Sequence, residues 1–138
     1  MFTFTRQERL RSKKSIEFLL KKNTSLVAHP FKIIWSKTTD PLLREAPVKD
    51  MPTVKFPVQM AISVPKRKFK RAVDRNRIKR LMRGAYRQNK NILYDFCHQR
   101  NENYMLLFIY IASNEISFLE MNDKIKLSLN RLIKEISS

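Results

Sequence analysis

Several kinds of residue are scarce in this 138-residue chain. There is one glycine, Gly84, so left-handed glycine turns are not a feature of the fold. There is one cysteine, Cys97, which excludes an intrachain disulfide and suits a reducing compartment such as the cytoplasm. The two histidines, His29 and His98, fall in different regions, and the twelve acids are scattered without a close pair. A general acid–base pair, a carboxylate cluster for a metal and a zinc-spaced Cys/His set are therefore missing, and no glycine-rich phosphate loop is present. We expect no catalytic residue and no metal ligand in the chain. The longest apolar run, Met105–Ala112, is too short to cross a bilayer, and the first residues lack the apolar core of a signal peptide.

Positive charge is abundant. Twenty-nine lysines and arginines stand against the twelve acids, for a formal charge of +17. The hydrophobic fraction, 43%, is enough for a compact core and too high for a disordered basic tail. Charge of this size opposes compaction by self-repulsion, so it points to a polyanionic partner. The length suits one domain, residues 1–138.

Periodicity predicts the elements. Ser12–Lys22 reads as a helix capped by Ser12, with Ile16, Leu19 and Leu20 on one face. Asn23–Pro30 reads as a connection and Phe31–Lys37 as a strand. Residues 38–55, with Pro41, Pro47 and Pro52, read as an exposed loop insertion. In Phe56–Val64 the apolar Val58, Met60, Ile62 and Val64 alternate with Gln59, Ala61 and Ser63, the pattern of a strand with one core face. A basic connector, Pro65–Arg71, leads into a helix from about Val73 to Leu93, and a polar segment follows at Cys97–Asn103. Tyr104–Ala112 is apolar on both faces, as a central strand covered on both sides should be. Ser117 and Glu120 have capping-box spacing at the head of a last helix with an apolar stripe from Phe118 to Ile136. The order helix-strand-strand-helix-strand-helix gives an α+β fold, an α/β sandwich with a small central sheet.

The charge is concentrated. From Pro65 to Lys90 there are twelve basic residues and one acid, Asp74. At about 100° per residue, Ile78, Leu81, Met82, Ala85 and Ile92 share one arc, and Asn76, Lys79, Arg80, Arg83, Arg87 and Lys90 the opposite one, with Arg75 and Arg77 on the flanks. Solvated helix faces normally intersperse acids to avoid like-charge pairs, which cost a few tenths of a kcal/mol each. A cationic face without them reads as a phosphate-contacting stripe, in which arginine forks bind phosphate and Asn76 can meet a base edge or ribose hydroxyl. Lys66, Arg67, Lys68, Lys70 and Arg71 extend it into the connector.

The stretch Ser63-Val64-Pro65-Lys66-Arg67, continued by Ala72-Val73-Asp74-Arg75-Asn76-Arg77-Ile78-Lys79-Arg80-Leu81-Met82-Arg83, resembles the bacterial ribonuclease P protein subunit, with its arginine–asparagine–arginine signature after a strand and a basic loop. Arg9-Leu10, the helix near Ile16–Leu20 and the later apolar strand agree with it. Two features depart from the family pattern. Lys70-Arg71 replaces a frequent Gly-Asn pair, and Gly84 stands where glutamate is frequent. A mid-helix glycine costs roughly 1 kcal/mol relative to alanine.

The resemblance implies the RNA-binding protein of a ribonucleoprotein that removes the 5′ leader from precursor tRNA. In that enzyme the RNA subunit, with Mg²⁺, is the catalyst. The resemblance further implies a protein that is monomeric when free, a left-handed β-α-β crossover, and a leader-binding cleft between the first helix and the sheet. Aligned on this chain, the cleft positions are Ile16, Leu20, Phe31, Lys32, Ile34 and Trp35, with Gln59, Ala61 and Ser63 as its floor. A ribosomal or rRNA-binding protein shares the charge and the small fold but does not explain the signature. The continuous basic stripe, with few base-reading polar residues, argues against sequence-specific DNA recognition, and a lack of large exposed aromatics against a membrane-surface helix.

Overall fold

The computed structural model describes residues 4, 8–21, 24–38 and 57–137. Residues 39–56, which hold nearly all of the expected loop insertion and the expected first residue of the second strand, lie outside the described residues. The elements are α1 (Lys13–Lys21), β1 (Ser25–Ala28), β2 (Phe31–Lys37), β3 (Val58–Ser63), α2 (Ala72–Arg100), β4 (Tyr104–Tyr110) and α3 (Phe118–Ser137).

The sheet order is β1-β2-β4-β3. β1 and β2 form an antiparallel hairpin across His29-Pro30, whose peptide bond is cis. β2 and β4 are antiparallel, and β3 and β4 are parallel, so α2 is the crossover of a β-α-β unit. Leu10 donates its backbone N–H to the Met60 carbonyl at 3.0 Å, and Arg9 bridges Met60 in parallel register, so the N-terminal segment lies along the open edge of β3.

The expected α+β architecture is present, with one strand more than the sequence suggested. β1 falls inside the segment read as a connection. It is only four residues long, but Leu26 and Ala28 are buried while Val27 is exposed, the period of two that a strand needs. The other difference is the length of α2, which runs seven residues past Leu93. Tyr94 and Cys97 continue its buried face, and the helix ends where Asn101 takes left-handed backbone angles (φ 51°, ψ 46°), with its N–H directed at the carbonyls of Cys97 and His98. Helix starts follow the sequence: Ser12 Oγ accepts the Ser15 N–H at 3.3 Å, and Ser117 Oγ accepts that of Glu120 at 3.2 Å.

β4 is the structural centre. Tyr104, Leu106, Phe108 and Tyr110 face the main core beneath α2 and α3, together with Phe31, Ile33 and Trp35 of β2 and Val58 and Met60 of β3. Met105 and Leu107 face the other way and form a second, smaller core with Ile34, Leu10 and Leu19 of α1. A strand buried on both faces has to be apolar at every position, which explains the unbroken run in the sequence. One side of the sheet is thus sealed by two helices, and the other is covered only in part by the short α1.

Candidate nucleic-acid interface

α2 presents the cationic surface. Its core face holds Ile78, Met82, Ala85, Tyr86, Leu93, Tyr94 and Cys97, all buried. Arg71, Asn76, Arg77, Arg80 and Arg87 are exposed, as are Lys66, Arg67 and Lys70 of the connector. Lys68, Arg75, Lys79 and Arg83 are half-buried.

The arginines of the signature differ in their surroundings. The Arg75 guanidinium turns back and donates to the carbonyls of Phe69 and Lys70 at 2.8 and 2.9 Å, which ties the connector to the first turn of α2. Arg77 reaches Glu115 at 3.1 Å and Asp74 at 3.6 Å. Lys68 donates to the Ile111 carbonyl. Asn76 and Arg80 stand between them on the exposed side.

Lys90 requires a correction. The helical wheel places it in the cationic row, but only 5% of its surface is exposed. Its ammonium lies 2.5 Å from Glu8, a carboxylate with no exposed surface, which also accepts a hydrogen bond from the Tyr94 hydroxyl. The cause is tertiary. The N-terminal segment packs along this flank of α2, with Glu8 on Lys90 and Tyr94 and the Phe4 ring edge-on to Tyr86 at 5.6 Å. A flank that would otherwise be wet becomes core, and the outward face of α2 turns toward Arg77, Arg80 and Arg87.

The same segment supplies a residue that wheel reasoning on α2 could not find. Arg9, exposed at the edge of β3, stacks over Phe4 with its guanidinium carbon 5.4 Å from the ring centroid. It lies close enough to depress the pKa of Arg83. Partial burial is the largest cause of that shift, followed by the positive charges of Arg9, Arg80 and Arg87. Three guanidinium groups that each repel a fourth, Arg83, with no acid partner for any of them among the described residues, form a locus that a polyanion would relieve. Three of the four belong to α2 and follow from its spacing. Arg9 is more than seventy positions away, and the packing of the N-terminal segment against β3 and α2 brings it there.

The second candidate surface is the less covered side of the sheet. Strand register sets two rows across it: Val27, Lys32, Ile109 and Ser63, then Ser25, Ile34, Leu107 and Ala61. α1 lies over the second row through Ile16 and Leu19, while Leu20 is 56% exposed at its rim. Ile16, Leu20, Lys32, Gln59, Ala61 and Ser63 thus share this side, and each keeps some exposed surface. Ile34 shares it but is buried under α1.

Phe31 and Trp35 are corrected. In β2 the odd-numbered residues point at α2 and α3. Phe31 is fully buried, 5.8 Å from the Phe108 ring and 6.1 Å from Tyr110, and Trp35 belongs to the same core. Alternation in a strand allows one face only, and the choice that buries Ile34 toward α1 sends both aromatics to the main core.

Among the described residues no group of three or more His, Cys, Asp or Glu could hold a metal ion, and no helix is long and apolar enough to cross a membrane.

Known proteins resemble this chain over nearly its whole length. The family model described as ribonuclease P matches residues 4–137. The ribonuclease P protein component of Porphyromonas gingivalis W83 is 26% identical over 137 residues, covering 99% of this chain and 91% of that protein. The component from Chlorobaculum tepidum is 39% identical over 98 residues, 67% of this chain and 60% of its own. The solved ribonuclease P protein of Thermotoga maritima superposes with a TM-score of 0.62 at 20% identity, over 90% of this chain and 96% of that one, a likeness of fold.

Proposed function

Because the chain belongs to the ribonuclease P protein family, we propose that it is the protein subunit of the ribonucleoprotein that removes the 5′ leader from precursor tRNA. It binds the RNA subunit through the exposed face of α2 and the connector. The observation that carries this reading is the one-sided charge of α2, where Arg80, Arg83 and Arg87 crowd together with Arg9 and, among the described residues, none of them is offset by an acid. Arginine forks at this spacing suit successive phosphates of a folded RNA.

Chemistry is assigned to the RNA subunit, with Mg²⁺ bound there. The protein contributes positive charge and shape. The leader of the precursor lies, in this reading, along the row Val27, Lys32, Ile109 and Ser63 beside Leu20. Lys32 is the cation of that row. With Phe31 and Trp35 in the core, contact with leader bases rests on aliphatic surface and on Lys32, which predicts little discrimination between bases.

The test is reconstitution with a bacterial ribonuclease P RNA at low Mg²⁺ and a precursor tRNA. Cleavage should exceed that of the RNA alone. If about six cations meet phosphates, the logarithm of affinity should fall with the logarithm of salt at a slope of roughly −4 to −5. No gain in cleavage, or a nearly flat salt titration, overturns the reading. Co-sedimentation with ribosomal subunits in place of such a gain would favour an rRNA-binding role.

A further inference from the structure

The row of arginines on α2 contains a gap, and the gap is filled from another helix. On the wheel Val73, Arg77, Arg80, Gly84 and Arg87 fall within about 60° of Gly84. The first residue of α3, Phe118, lays its ring on that glycine. A Cβ built at Gly84 would lie 3.2 Å from Phe118 Cε2 and 3.8 Å from Nη2 of Arg87. The first of these distances is tight, so a Cβ here would push the ring outward by a few tenths of an ångström. The glycine, which otherwise only weakens a 29-residue helix, gives the ring this close approach.

The seat does not bury the ring. Phe118 is 39% exposed, and it is the one aromatic among the exposed large hydrophobic residues described. Its neighbour Leu119 is 74% exposed and Val73, on the same row, 58%. An exposed aromatic ring on a seat that it shares with the Arg87 guanidinium combines the two elements of single-strand binding: a π surface for a base and a cation for a neighbouring phosphate. Arg77 on this row is paired with Glu115 and Asp74, but Arg87 at the seat and Arg80 one turn before it have no acid partner among the described residues, and an apolar protein surface gains nothing from them.

We propose that Phe118, seated on Gly84 and flanked by Arg87, is a stacking platform for an unpaired base of the RNA that α2 binds. The proposal rests on the RNA-binding reading of α2 and adds a base contact to a surface otherwise described by phosphates alone. It makes the N-terminus of α3 part of the interface.

The experiment measures binding of full-length protein to a bacterial ribonuclease P RNA across a salt series. Phe118→Leu keeps apolar bulk and removes the π face. It should weaken binding about tenfold, within the range for loss of one stacked base. The salt slope should not change, because no phosphate contact is lost. Phe118→Trp should bind like wild type, and its emission should be quenched by saturating RNA beyond any change in wild type, whose single tryptophan, Trp35, is buried in the core. Leu127→Ala, at another exposed apolar position of α3, should leave affinity unchanged. A Phe118→Leu affinity within twofold of wild type overturns the proposal, as does a Phe118→Trp variant whose emission at saturation is quenched no more than that of wild type. The quenching arm decides if Phe118→Leu proves too unstable to assay. If wild type itself fails to bind the RNA, the failure lies with the functional reading and not with the platform.

Discussion

Replacing Lys90 with methionine separates a structural cation from an RNA-binding one. Lys90 and Glu8 are both out of water, 2.5 Å apart, and Tyr94 also donates to Glu8. Lys90→Met keeps the length and apolar stem of the side chain but takes the Lys90 ammonium away from the buried Glu8 carboxylate. Removing one partner of a buried pair costs about 3–5 kcal/mol. At roughly 2.1 cal/mol/K of unfolding entropy per residue, a chain of 138 residues should lose about 10–17 °C in melting temperature. The double variant Glu8→Gln/Lys90→Met has no buried charge at this pair and should recover most of that loss, since exchanging a whole buried pair for neutral groups is often close to neutral. Thermal melts followed by circular dichroism give the stability, and a salt titration of RNA binding, run below the lower melt, gives the phosphate count. The expected slope is that of wild type. If Lys90→Met melts like wild type while the slope falls by about 0.7–0.9, the loss of one phosphate contact, the ion pair has been misread and Lys90 belongs to the interface.

Other perturbations have equally distinct signatures. Arg75→Ala removes two hydrogen bonds to backbone carbonyls and should destabilise by about 2 kcal/mol, whereas exposed Arg80→Ala should leave the melt within about 0.5 kcal/mol and reduce the salt slope by about one phosphate. Glu102 accepts from Tyr104, Arg100 and Lys37, and these contacts hold its pKa down to about 2. A depressed carboxylate stabilises the fold above its unfolded pKa and loses that contribution as pH falls, so Glu102→Gln should melt below wild type at pH 6 and the gap should close between about pH 4.5 and pH 2. Burial pushes the Cys97 thiol up to about 11, so a thiol reagent at pH 8 should label it only as the protein unfolds, and prompt stoichiometric labelling would contradict its position in the core.

The elements that are legible in the sequence are those whose burial is decided by their own spacing. β4 is apolar at every position because both of its faces are covered, and β3 alternates because one is not. The caps at Ser12 and Ser117 are local hydrogen bonds between residues three apart. β1 escapes notice because four residues are too few for a period to stand out beside a turn. The last turns of α2 escape it because Asp95, His98, Gln99 and Arg100 make the segment look polar, although Tyr94 and Cys97 keep the helical interval. Trp35 and Phe31 cannot be placed from β2 itself. The strand is apolar on both sides, and which side meets the larger core depends on α2 and α3, far along the chain.

The candidate interface shows the same division. Charge density and one-sidedness are properties of α2 and can be counted. The direction in which its free face points is not, because segments from both ends of the chain flank the helix. On one side the N-terminal segment takes Lys90 out of the cationic row through Glu8 and returns Arg9 to it. On the other side α3 joins Asn122 to Asn89 at 2.7 Å and sets Phe118 on Gly84. Each flank hides part of the wheel and adds one residue of its own to what remains exposed, a cation from the first and an aromatic ring from the second. A helix read alone would therefore centre the row away from its true direction, and it would miss both added residues. These are the two residues that substitution can remove without touching α2, so Arg9→Ala and Phe118→Leu should weaken RNA binding in different ways, the first lowering the salt slope and the second leaving it unchanged.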